Sequence, residues 1–226
     1  MRANAHGVLL AAVVGLLAWS GPVPAAGEDW PAWADEEAKL RQAIARVNDG
    51  ELSFLQQPPA SRVHRHLARV RISAAALEDG WVTMEQCHQG LDRVPVAQIL
   101  FREGSTRAIE VLSSRNIGAA YAEDNSVQLR AVADDAEICV RAETRALYPI
   151  DNGVFELRNG PFMRRFLDGY YPLQLELSIE YPPDIELADH TPENQPGFAV
   201  TLSPGLIEVD SLFEGQLRTR FRFLAR

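Results

Sequence analysis

The chain has 226 residues, 46% of them apolar, with 22 Lys and Arg against 31 Asp and Glu and a formal charge of −9. That length admits one large domain or two small ones, and the apolar share suffices for a real core. The acidic balance excludes a general nucleic-acid binder, which needs a basic stripe to neutralise phosphates.

Arg2 gives the chain a positive start, and residues 8–19 (VLLAAVVGLLAW) form an apolar run of signal-peptide length, too short to span a bilayer. Val23, Pro24 and Ala25 follow, predicting a signal peptide over 1–25, with cleavage after Ala26 as the alternative. No cysteine stands directly after the run and no other long apolar segment occurs. The expectation is an exported product, periplasmic or secreted, without a lipid or transmembrane anchor. Residues 26–58 then supply a helix and a linker. Leu40, Ile44 and Val47 recur at helical spacing, Asp35, Glu36 and Glu37 suit a first turn, and Asn48-Asp49-Gly50 ends the pattern. This predicts a short N-terminal helix over 34–47.

From residue 59 onward the pattern is β. A short strand over 51–57 ends at Pro58-Pro59. Over 63–73, His64, His66, Ala68, Val70 and Ile72 share one face while Arg65, Arg69 and Arg71 share the other. Strand-sized runs follow at 80–87, 97–101, 107–112, 127–132 and 137–144, punctuated by Gly, Pro, Asn and Asp. A turn over 149–153 suggests a boundary near Asp151. Further runs lie at 154–158, 173–181, 197–202, 206–213 and 216–224, and residues 185–196 read as a polar surface loop. The fold class is mainly β: two consecutive β-sandwich-like modules, 59–150 and 151–226, or one larger sandwich.

Cys87 and Cys139 are the only cysteines, and an even pair in an exported chain predicts a disulfide. Closing such a loop stabilises by roughly 4 kcal/mol in the chain-entropy model. Two free thiols, or a redox-active or metal-bound cysteine, are the alternatives, although the chain has no CxxC and no CxxCH. Val82-Thr83 leading to Cys87, and 127–132 leading to Ile138-Cys139, resemble the two cysteine strands of an immunoglobulin domain. The resemblance covers 80–140 and lacks the family's tyrosine and tryptophan. It implies a disulfide-tied β-sandwich and no particular function.

Candidate sites follow from residue type. In 159–172, Arg164, Arg165, Asp168, Tyr170 and Tyr171 stand among Phe162, Met163, Phe166 and Leu167. The bland reading is a corner in which Phe162, Phe166 and Leu167 plug the end of the domain while an arginine pairs with Asp168. The sharper one is a recognition loop for an anionic or planar partner. Arg218, Arg220 and Arg222 form one face of the last strand. They are expected to meet Glu176 and Glu180 of a neighbouring antiparallel strand, the rival being an arginine stripe for an anionic polymer or lipid head group. His64 and His66 on one strand face, with His88 and Met84 near, could bind copper or zinc, though capping a core is the commoner role of such histidines. His190 falls in the polar loop. No G-x-S-x-G and no glycine-rich phosphate loop occur, and Glu78-Asp79, Glu123-Asp124 and Asp134-Asp135 read as solvated turn residues. The sequence therefore reads as an exported, non-catalytic binding or structural module without a cofactor. Its partner would be another envelope protein or a small ligand. A copper- or zinc-binding protein is the alternative, and a hydrolase of envelope polymers the residual one.

Overall fold

Alternation of apolar and polar side chains sets almost every element of this protein. The computed structural model describes residues 48–226 apart from Ser61; the expected signal peptide and the helix over 34–47 lie outside them. Fifteen strands and one short helix follow in order. They are β1 (Ser53–Phe54), β2 (His64–Arg71), α1 (Ala76–Asp79), β3 (Trp81–Leu91), β4 (Val94–Leu100), β5 (Thr106–Glu123), β6 (Ser126–Arg145) and β7 (Leu147–Asp151). Then come β8 (Val154–Phe162), β9 (Arg164–Phe166), β10 (Gly169–Tyr171), β11 (Leu173–Glu180), β12 (Ile185–Thr191), β13 (Phe198–Ser203), β14 (Leu206–Glu214) and β15 (Leu217–Ala225).

Nine strands form one sheet in the order β1-β14-β11-β2-β3-β6-β4, with β13 also on β14 and β5 also on β6. A second sheet has the order β12-β15-β8-β7, and β9 and β10 make a small hairpin of their own. The buried faces of the two sheets share one core. Leu173, Leu175, Leu177 and Ile179 of β11 meet Leu217, Phe221 and Phe223 of β15 and Leu157 of β8 in a single apolar cluster. Layering of this kind makes the architecture β-sandwich-like. A second cluster, around Val127, Leu129, Ile138 and Val140, lies along β6 where β4 and β5 flank it.

Four expectations are corrected. The turn near Asp151 joins β7 to β8, yet strands from both sides of it pair in one sheet, since β11 lies between β2 and β14. That interleaving is the larger sandwich, not two consecutive modules. The runs at 127–132 and 137–144 are one long strand, β6, interrupted by a bulge where Asp135 takes a left-handed φ of 58°. The polar segment beginning at Ile185 is a strand, because β12 lies at the sheet edge and needs only Ile185 and Leu187 for burial or partial burial. Finally, β15 is not beside β11. Glu176 and Glu180 meet the arginines of parallel β2 instead, with Arg65–Glu176 at 2.5 Å, Arg71–Glu180 at 2.9 Å and Arg69–Glu180 at 3.7 Å.

The disulfide forms, joining Cys87 to Cys139. The two residues are direct register partners on adjacent strands β3 and β6. This differs from the immunoglobulin resemblance, in which the bond ties two facing sheets. Here it staples neighbouring strands of one sheet.

Candidate functional site

One end of the sandwich brings the histidines of β2 and β3 beside the start of β11 and the end of β8. On antiparallel β2 and β3, His66 stands directly opposite His88, and His64 is two residues along the same face. Since side chains alternate, Cys87 points to the other face and is taken by the disulfide. All three rings are buried, at 8%, 6% and 9% exposure for His64, His66 and His88. His64 Nε2 and His88 Nδ1 share a hydrogen bond of 3.0 Å, one ring supplying the proton. His66 Nε2 donates to Gln86 Oε1 at 3.2 Å. The His66 and His88 rings lie 4.2 Å apart, and Phe162 meets His66 edge-on at 5.3 Å. His88 Nε2 is buried without a hydrogen-bond partner.

Burial makes these histidines poor bases. Desolvation pushes His64 down to about 3, and the positive charges of His66 and Arg164 add to the effect. His66 falls to about 4, again through burial, with the Gln86 hydrogen bond opposing it. His88 is held well below the usual imidazole range, first by burial and then by its two neighbours. Met84 is on the same face of β3, but Gln86 stands between it and His88, and Met84 packs on the main core. Among the described residues no group of three His, Cys, Asp or Glu side chains is arranged to hold a metal ion.

The Arg164–Tyr171 corner is built against this trio. Leu173, next after Pro172, is the register partner of His64. Arg164, whose side chain is only 13% exposed, pairs with Asp92 and donates to the Pro172 carbonyl at 3.4 Å. Its guanidinium also lies 5.5 Å from the Phe166 ring and 5.6 Å from that of Tyr171. Tyr170 is buried as well. Its N–H donates to the Asn48 carbonyl at 2.9 Å, and its hydroxyl accepts from Gln216 Nε2 at 3.0 Å. Arg164 and Tyr170 are thus anchors. Arg165, stacked 5.5 Å over Tyr170, and Asp168 are exposed, while Tyr171 is half-buried. The Tyr171 hydroxyl donates to Asp168 at 2.5 Å, and that bond raises its pKa.

The structure therefore brings together two groups of residues that lie far apart in sequence. It also corrects the role of Leu167. Phe162 is buried and Phe166 half-buried, as a plug requires, but Leu167 is 110% exposed at the hairpin tip. Gly169 pairs with Phe166, so Leu167 and Asp168 are the two connecting residues. The signal for this was the Asp168-Gly169 dipeptide, a turn-forming string between two short strand-like runs. His190 stands apart from the cluster, on β12, with Nδ1 2.7 Å from the Pro192 carbonyl.

No protein-family model matches the chain, and no curated protein matches it. Solved structures similar to it include a mutant of a two-domain M1 zinc metallopeptidase bound to L-tryptophan, with TM-score 0.41 and 9% identity over 79% of this chain and 44% of that one. The M1 zinc metallopeptidase from Deinococcus radiodurans is similar at TM-score 0.40 and 9% identity, over 79% of this chain and 43% of that one. The chain spans less than half the length of either.

Proposed function

We propose that this is an exported, non-catalytic binding module of the bacterial envelope, and that the β9–β10 hairpin faces its partner, another envelope protein. One observation carries the reading: a leucine stands fully exposed at the tip of a hairpin whose base is locked by Arg164–Asp92 and by Tyr170 with Gln216 and Asn48. A pre-ordered loop loses little freedom on binding, and an apolar tip flanked by Arg165 and Tyr171 has the residue types that dominate interface energetics. The apolar run at 8–19 and the disulfide support export. The test is photo-crosslinking in envelope extract, with the reactive group at Leu167 and, as a control, at the exposed Leu100. A discrete adduct from Leu167 alone, lost on Arg165→Ala with Tyr171→Ala at unchanged melting temperature, is the expected result. Equal labelling from both positions, or an adduct indifferent to the double substitution, counts against the hairpin.

A second reading, a copper or zinc binder using His64, His66 and His88, draws on the buried and unpartnered His88 Nε2. Metal entry would have to break the His64–His88 and His66–Gln86 hydrogen bonds. Metal content after exposure of the purified protein to micromolar zinc or copper, compared with a His64→Ala, His66→Ala variant, decides it. An unchanged metal-free mass ends the idea.

A further inference from the structure

The outer face of the four-stranded sheet carries a groove of about 370 Å³ lined by Arg102, Arg158, Arg218 and Arg220 together with Asn159, Gly160 and Thr219. Three separate pieces of chain supply it: Arg102 from the loop after β4, Arg158 from β8, and Arg218 and Arg220 from β15. Arg220 is the direct cross-strand partner of Arg158. Like charges in that position, with Cβ atoms about 5 Å apart, destabilise a sheet unless something answers them. The chain answers only part of the charge. Arg158 pairs with Glu156 at 2.6 Å and lies 4.7 Å from the Tyr148 ring. Among the described residues no carboxylate pairs with Arg102, Arg218 or Arg220, and Arg102 reaches only the Tyr148 hydroxyl and the Gly160 carbonyl, each at 3.4 Å. The acidic residues that β15 was expected to meet, Glu176 and Glu180, are engaged by β2. The next arginine, Arg222, is instead paired with Asp189 at 3.0 Å, so the strand carries its own compensated control.

We propose that this groove binds a phosphate-bearing ligand carrying two or more negative charges. Three uncompensated guanidiniums on a protein of charge −9 are an excess of the opposite sign, held in one place against the overall field. Guanidinium forks match phosphate oxygens in paired hydrogen bonds, and alternate residues on β15 space two forks by about 7 Å. The groove has the size of a small-molecule or head-group site, at the lower end of about 300–1,000 Å³. The site is separate from the hairpin, and it does not depend on what the hairpin binds.

The test uses the purified full chain at low ionic strength, with two probes. One is pyrophosphate, followed by calorimetry; the other is vesicles of phosphatidylglycerol in phosphatidylcholine, followed by co-sedimentation. Arg218→Gln with Arg220→Gln is expected to weaken binding by roughly tenfold or more, while Arg222→Gln changes it less than about twofold. Because the double variant removes like-charge repulsion, its ligand-free melting temperature stays level or rises. Arg102→Gln, a loop substitution outside the sheet, gives the same loss of binding through a position whose change leaves strand pairing untouched. Pyrophosphate binding lost in these variants supports the proposal with a free phosphorylated ligand. Vesicle capture alone, lost in the same variants, supports it with a lipid head group. Failure of both probes, binding that survives the variants, or equal loss in Arg222→Gln overturns it.

Discussion

His64, His66 and His88 are neutral because the fold keeps water from them, and that neutrality makes stability depend on pH. Their folded pKa values lie below the unfolded imidazole value of 6.5, at about 3 for His64 and about 4 for His66, with His88 displaced the same way. Below pH 6.5 the unfolded chain therefore binds more protons than the folded one. The trio's contribution is complete above that pH and is lost as pH falls towards the folded values. Equilibrium unfolding should show stability dropping between about pH 6.5 and 4, by up to about 1.4 kcal/mol per pH unit for each histidine. The His64→Gln variant should show a shallower fall, because glutamine can still meet His88 Nδ1 without titrating; an unchanged slope would remove His64 from the account. Gly160 is a second position where one residue decides. Its φ is 90°, and an added Cβ would lie 2.5 Å from the Leu217 carbonyl oxygen. Gly160→Ala should cost about 1–3 kcal/mol, read as a lower melting temperature, because both the left-handed backbone and the approach of β15 resist a side chain.

Whole elements were legible where one face is wet and the other dry. β11 reads as alternating Leu and Ile against Gln, Glu and Ser, and its burial alternates in the same way. The faces of β2 follow the same rule, which is why His64 and His66 were placed with Val70 rather than with the arginines. Pairing was not legible, because complementary charge has many solutions: Glu176 and Glu180 can satisfy β2 or β15 equally well, and a long-range topology chose β2. The disulfide was legible as a pair of cysteines but not as a link between adjacent strands. The bond spans 52 residues, so the chain-entropy model assigns it about 4 kcal/mol. Reduction, or Cys87→Ala with Cys139→Ala, should lower the unfolding free energy by a few kcal/mol in chemical denaturation. A change below about 1 kcal/mol would mean that the paired β3 and β6 already restrict the reduced chain.

At the scale of the molecule, the turn at Asp151 looks like a boundary in sequence because Pro149, Asn152 and Gly153 cluster there. In space it is only the β7–β8 hairpin. The chain then recrosses: β8 and β15 build the second sheet, while β11, β13 and β14 return to the first. The apolar cluster between the sheets draws Ala68, Val70 and Val82 from before the turn and Leu177, Phe213 and Phe221 from after it. The second cluster, along β6, lies wholly before the turn, but neither half can bury its share of the main cluster alone, so the described residues should unfold as one cooperative unit. Phe221 is the sharpest probe, since it is 0% exposed on β15, between β8 and β12. Phe221→Ala should cost about 3–5 kcal/mol through lost burial and the cavity left behind. The cost should move the whole transition, with fluorescence and far-ultraviolet circular dichroism shifting together. Two separated transitions, with only the later one displaced by Phe221→Ala, would instead restore a division at Asp151 and make the shared core a contact between independent modules.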